Sequence, residues 1–252
     1  MKEIPRATCR NRREVTMNGK KRLMRAWAAV LLTIAMATFL GGSASADDRQ
    51  EAMQLVEKAG LTLESFMADN KMEAFRDLMK GAAGVFIAPQ VLKGAFVFGV
   101  SGGSGILVVK DRMTRNWFGP AFYTLGGASF GLQIGGEASE VILLLMTDRG
   151  VSSLLSTSFK LGADAGLAAG PIGMGVSAAT ANISADILSF SRSKGLYGGI
   201  SLEGAVVATR GDWNDAYYDK HVTTSEILIR HGVTNPQADK LIEAVSKGAA
   251  RR

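Results

Sequence analysis

Phe122-Tyr-Thr-Leu-Gly-Gly-Ala-Ser-Phe-Gly-Leu-Gln-Ile134 decides the fold class. Its even positions read Phe, Thr, Gly, Ala, Phe, Leu, Ile and its odd positions Tyr, Leu, Gly, Ser, Gly, Gln, the period-two alternation of a strand with one buried face. Leu196 to Ala208 repeats the pattern, with Leu, Gly, Ile, Leu, Gly, Val, Ala on its even face. Between Gly81 and Gly211 lie 24 of the 27 glycines that follow residue 46, interleaved with short apolar runs such as Phe96 to Val100 and Ile106 to Val109. Glycines inside strands permit close backbone approach, bulges and sharp coiling, so this region predicts a curved or barrel-like, mainly antiparallel sheet.

Outward from the sheet, the chain turns helical in both directions. Ala52, Leu55, Val56, Ala59, Leu63, Phe66 and Met67 recur at helical spacing, and Asn70-Lys-Met-Glu73 has capping-box spelling before a second helix that Gly81 stops. Arg149 to Thr157 predicts a short helix within the sheet region. Toward the end, Thr223-Thr-Ser-Glu226 is a capping box opening a helix to His231, closed by Gly232. Asn235-Pro236 starts a last helix with Leu241, Ile242 and Val245 inward and Gly248 as its stop. Segregated helix, sheet and helix argue for a single α+β domain over 47–252.

The first 46 residues read as an address. Lys20, Lys21, Arg22 and Arg25 form a positive region, Trp27 to Leu40 an apolar one, and Gly41 to Ala46 ends in a small-x-small pattern; this predicts a signal peptide cleaved after Ala46 and a periplasmic product. Met1 and Met17 both serve as possible starts. The apolar run is about 15 residues against the roughly 20 of a membrane span. Nine of the 29 Lys and Arg lie in this leader, so residues 47–252 hold 20 bases against 21 acids. A chain so balanced lacks the clustered excess of cations that counterion release requires, which excludes a general nucleic-acid binder. Cys9, the only cysteine, belongs to the leader, leaving the mature chain without disulfide, thiolate nucleophile or cysteine metal site.

Catalytic and metal chemistry find little support. Gly99-Val-Ser101-Gly-Gly103 and Gly127-Ala-Ser129-Phe-Gly131 share the nucleophile-elbow spelling, but an elbow needs a strand, a strained turn and a helix. A serine-dependent esterase using Ser101 or Ser129 with His221 or His231 is therefore the alternative and not the main reading. Gly99-x-x-Gly102-Gly103-x-Gly105 reads as a hairpin or bulge rather than a phosphate loop, because no helix follows it. Two histidines ten residues apart do not share a helix face, so no metal or other cofactor is expected. Glu137 and Glu140 read as a strand charge pair. An outer-membrane barrel or another structural envelope protein also fits export and glycine-rich strands, but the helical ends and few aromatics (7%) count against a barrel.

Ser191-Arg-Ser-Lys194-Gly195-Leu-Tyr-Gly-Gly-Ile-Ser-Leu-Glu-Gly204 closely resembles the signature of the SYLF domain family. Gly102 to Ile106, Trp117-Phe-Gly-Pro120, Gly131 to Gly135, Leu161-Gly162 running to Gly173, and Asp215-Ala-Tyr-Tyr218 follow the family's order, over roughly residues 50 to 247. The resemblance implies non-enzymatic binding of anionic phospholipids, phosphoinositides in eukaryotic members, and an actin link that an exported bacterial chain would not meet in its own cell. The basic and aromatic groups of the sheet region suited to lipid headgroups are Lys93, Lys110, Arg112, Arg115, Trp117, Phe118, Arg192 and Lys194. Eukaryotic members also use a basic amphipathic N-terminal helix, whereas Asp47 to Ala68 here is acidic. The expected partner is an anionic membrane surface; oligomeric state is left open.

Overall fold

The computed structural model describes residues 45–95, 98–130, 135–170, 185–193, 196–197 and 202–250. All but the end of the expected leader, Lys194, most of Gly195 to Ser201 and the terminal Arg251 and Arg252 lie outside them. The described part begins with helix α1 (Ser45–Ala68) and α2 (Glu73–Gly81), and continues into strands β1 (Gly84–Ala95), β2 (Phe98–Lys110), β3 (Trp117–Phe130) and β4 (Gly135–Leu145). Helix α3 (Asp148–Leu154) and the short strands β5 (Ser158–Lys160) and β6 (Leu167–Ala169) follow. Then come β7 (Ile187–Ser193), β8 (Leu196–Tyr197), β9 (Val206–Thr209), α4 (Gly211–Tyr218), α5 (Thr224–Leu228) and α6 (Asp239–Ala250).

The strands form one curled, half-barrel mixed sheet in the order β5-β9-β3-β2-β1-β4-β7-β6, with β8 paired to β7. Every pairing is antiparallel except β6 with β7. The α+β class and the helical ends are as the sequence predicts. The alternation in Phe122 to Ile134 is read differently by the fold: both faces of β3 are buried near its start. Phe122 packs with α1, α4 and α6 side chains, whereas Tyr123 and Leu125 face a second core completed by α3 and α5. Apolar residues therefore occupy successive positions 121 to 123, as a strand covered on both faces requires.

Glycines let the central strands approach. Between Ile87 and Gln90, β1 advances three residues while β2 advances two, and β4 shows the same offset, so Ala88-Pro89 carries a bulge against both neighbours. Pro89 is tolerated in a central strand because the bulge already interrupts the ladder. Opposite it, a methyl at Gly105 would stand 2.4 Å from the Phe86 ring and one at Gly103 2.3 Å from the Gln90 carbonyl oxygen.

Four local expectations are corrected. Leu196 to Ala208 is not one strand: a turn with Gly204 at φ 79° separates Leu202 from β9. Asn70 does not cap α2; Asp69 accepts from the Lys71 amide and opens a 3-10 turn, Asn70–Met72, instead. The box at Thr223 and Glu226 does form, but the left-handed residue beyond α5 is His231 (φ 54°) rather than Gly232. Gly248 does not stop α6; it lies inside the helix, where a methyl would press on Met79 Cε at 2.9 Å.

Candidate functional site

The basic residues selected from sequence separate into two ends of the sheet. Lys110, Arg112 and Arg115 share the turn joining β2 to β3. Lys93 is opposite Ser101 near the other end of β2, nine residues from Lys110, or about 30 Å along an extended strand. It also faces Glu137 across β4.

Arg192 belongs to the structure rather than to a surface. Its guanidinium donates to Glu140 Oε2 through Nε (2.8 Å) and Nη2 (2.5 Å) and to Ser65 Oγ at 2.7 Å, lies 3.5 Å from Asp69 Oδ2, and covers the Phe66 ring at 4.9 Å. This ties β4 and β7 to α1. Glu140 is thus a partner of Arg192, and Glu137 accepts from Ser139 Oγ at 3.3 Å. Three residues apart on a strand, the two carboxylates point to opposite faces and do not work as a pair.

The β2–β3 turn is built by Asp111. Its Oδ1 accepts from the amides of Met113 (3.1 Å) and Thr114 (2.7 Å) and from Thr114 Oγ1 (2.8 Å), while its backbone carbonyl accepts from the Arg115 amide at 3.0 Å. The Thr114 amide and hydroxyl, first among its surroundings, hold the Asp111 carboxyl below its ordinary pKa. Arg115 takes a left-handed backbone (φ 64°) that completes the reversal. Lys110 Nζ stands 5.5 Å from the Trp117 ring centroid; partial burial, then the Arg115 charge, lower its pKa. Arg112 pairs with Asp148 at the start of α3.

The two aromatics differ. Trp117 is only 5% exposed and belongs to the helix-side core, so it supports Lys110 from beneath and does not present an interfacial ring. Phe118 is half-buried and stacks on His231 with centroids 3.4 Å apart and planes 15° from parallel. That stack brings the segment after α5, with exposed Ile229 and Arg230, to the same end as the β2–β3 turn. Neither spacing nor composition signals this neighbourhood, because residues 118 and 231 are far apart in the chain; it was missed in the sequence. Lys194 lies outside the described residues.

The first serine string, Gly99 to Gly103, lies within β2, and the second, Gly127 to Gly131, runs through the end of β3 to a residue outside those described. Ser101 sits in β2 opposite Gly127 and donates to its carbonyl oxygen at 3.4 Å, and Ser129 lies in β3 opposite Gly99. Ser101, with β2 continuing to Lys110, is not at a strand-to-helix turn. His221 Nδ1 meets Asp215 Oδ2 at 2.7 Å; that hydrogen bond, then the carboxylate charge, raises its pKa, and the Val222 amide donates to the other Asp215 oxygen. With the Tyr217 hydroxyl donating to Gln237 and the Tyr218 hydroxyl to the Pro120 carbonyl, the Asp215 to Tyr218 motif fastens the C-terminal helices to the domain. Among the described residues no group of three or more His, Cys, Asp or Glu is arranged to hold a metal, and no helix is long and apolar enough to cross a membrane.

Residues 126–248 match the model of the Ysc84 family, described as Las17-binding protein actin regulator. Similar chains include Protein YSC84 of Saccharomyces cerevisiae, 30% identical over 203 residues, covering 77% of this chain and 43% of that one. The SH3 domain-containing protein PJ696.02 of Schizosaccharomyces pombe is 31% identical over 200 residues (75% and 46%), and the human SH3 domain-containing YSC84-like protein 1 is 30% identical over 155 residues (61% and 45%). The chain thus spans less than half the length of these relatives.

Proposed function

The chain carries a domain of the Ysc84 (SYLF) family, and on that premise we propose that it is a non-enzymatic module that docks on anionic phospholipid surfaces through the β2–β3 turn. The observation that carries the reading is the gathering of Lys110, Arg112 and Arg115 in one turn that Asp111 holds in shape, with Arg230 brought alongside by the Phe118–His231 stack. Of these four cations, Arg112 is the one with a salt bridge among the described residues, and that pair is well exposed, so it contributes little and exchanges readily for a lipid phosphate.

A base near an anionic bilayer contributes about 1 kcal/mol, and the attraction decays within a Debye length of about 8 Å at physiological salt. Four bases on one end suffice for reversible docking; they do not chemically alter the lipid. The rest of the domain supplies rigidity, since the turn is anchored by two long paired strands and by Trp117 in the core.

We also propose export through the leader, with release after Ala46. In that compartment the ligand is an anionic bacterial lipid such as phosphatidylglycerol. The family description speaks of Las17 binding and actin regulation; on the export we propose, the chain would not meet actin in its own cell, and this partner is not carried over.

Co-sedimentation of the protein with vesicles tests the reading. We expect recovery with phosphatidylcholine vesicles containing phosphatidylglycerol, loss of that recovery as salt is raised, and little binding to phosphatidylcholine alone. Equal recovery with both vesicle types would reject the proposal.

A further inference from the structure

The basic turn carries an apolar apex that headgroup attraction alone does not use. Met113 is 93% exposed, the highest value of any large apolar side chain among the described residues, and it sits between Arg112 and Arg115 at the tip of the turn. The turn projects it: the Met113 and Thr114 amides are tied to Asp111 Oδ1, and the chain reverses at Arg115. Ile229, 47% exposed, adjoins Arg230 on the neighbouring segment that the Phe118–His231 stack holds at this end. Thus two exposed apolar side chains share one end with Lys110, Arg112, Arg115 and Arg230.

A second apolar patch exists, and its charge distinguishes it. Leu61 on α1 and Leu92 and Val100 on β1 and β2 are exposed near the opposite end of the sheet. On the elements around it Glu51, Glu57, Glu64, Glu137 and Glu140 stand beside Lys58, Lys93 and Arg192, the last occupied by carboxylates, whereas at the turn end Lys110, Arg112, Arg115 and Arg230 stand beside Asp111, Asp148 and Glu226. That patch has no excess of cations to draw it to an anionic surface, whereas the Met113 end has one.

An apolar group flanked by cations matches the layering of a bilayer interface, with acyl chains below and phosphates above. Building on the docking reading, we infer that Met113, assisted by Ile229, enters an anionic bilayer below the headgroups while Lys110, Arg112, Arg115 and Arg230 sit at the phosphate level.

The test compares the full chain with Met113→Gln, Ile229→Gln and Lys110→Gln in partition to phosphatidylglycerol-containing vesicles over a range of salt. Unchanged thermal unfolding first shows that each variant is folded. Burial of a Met side chain is worth enough that Met113→Gln should weaken partition about tenfold. It should do so at every salt concentration and leave the slope of log affinity against log salt unchanged. Lys110→Gln should instead make that slope shallower. The wild-type protein should also raise the surface pressure of a phosphatidylglycerol monolayer more than Met113→Gln does. If Met113→Gln binds and penetrates like the wild type while Lys110→Gln weakens binding, docking stands and insertion is rejected. If the wild type itself ignores phosphatidylglycerol vesicles, both fall.

Discussion

Arg192 reads in sequence as a cation of a glycine-rich signature, and the fold spends it inside the molecule. Its partners Glu140, Asp69 and Ser65 are 52, 123 and 127 residues away, distances over which local periodicity carries no information. We expect Arg192→Met, which preserves length and the contact with Phe66, to lower stability by about 2–4 kcal/mol, somewhat less than a fully buried pair because Glu140 retains some water. Denaturant midpoints should show the loss while vesicle affinity of the folded protein stays unchanged; a normal midpoint with weakened vesicle binding would return Arg192 to the lipid site. Asp186 offers a second check. It accepts from Thr147 Oγ1 at 2.6 Å and the Gly166 amide at 3.0 Å, and these bonds, led by Thr147, depress its pKa. A depressed carboxylate contributes stability above its unfolded pKa of about 4 that is lost as pH falls through the lower folded value. The stability gap between wild type and Asp186→Asn should therefore be full near neutrality and close below about pH 4, and a gap that widens with acid would contradict the assignment.

At the scale of elements, α1, the start of α6 and the Thr223 box were legible because apolar spacing and a capping box are local, whereas α4 was not read as a helix and the helix stops at Gly232 and Gly248 were misplaced. The strands were legible as a region but not one by one. Alternation does not show that a second core covers the far face of β3, nor that Gly204 turns the chain within Leu196 to Ala208. Glycines carried two different meanings that sequence does not separate. Gly105 is required by the Phe86 ring, whereas nothing stands within 4 Å of a methyl at Gly94. We expect Gly105→Ala to destabilise by about 1–3 kcal/mol through overpacking and Gly94→Ala to lie near zero. Equal effects in thermal or denaturant unfolding would show that the close packing of β1 on β2 is not what fixes Gly105.

For the whole molecule, the structure separates what the sequence grouped together. Lys93 and Arg192 lie away from the β2–β3 turn, Trp117 is in the core, and Arg230 joins the turn from a distant part of the chain. The turn itself was legible, since Lys110 to Arg115 concentrates charge within six residues; its neighbours depend on how β3 meets α5. On the docking we propose, it is the end with Lys110, Arg112, Arg115 and Arg230 that faces the bilayer. The most direct measurement is the affinity of phosphatidylglycerol-containing vesicles for the wild type, for Lys110→Gln combined with Arg115→Gln, and for Lys93→Gln. We expect about fivefold weakening for each base removed from the turn and almost none for Lys93→Gln. Equal weakening at the two ends, or none at the turn, would contradict it.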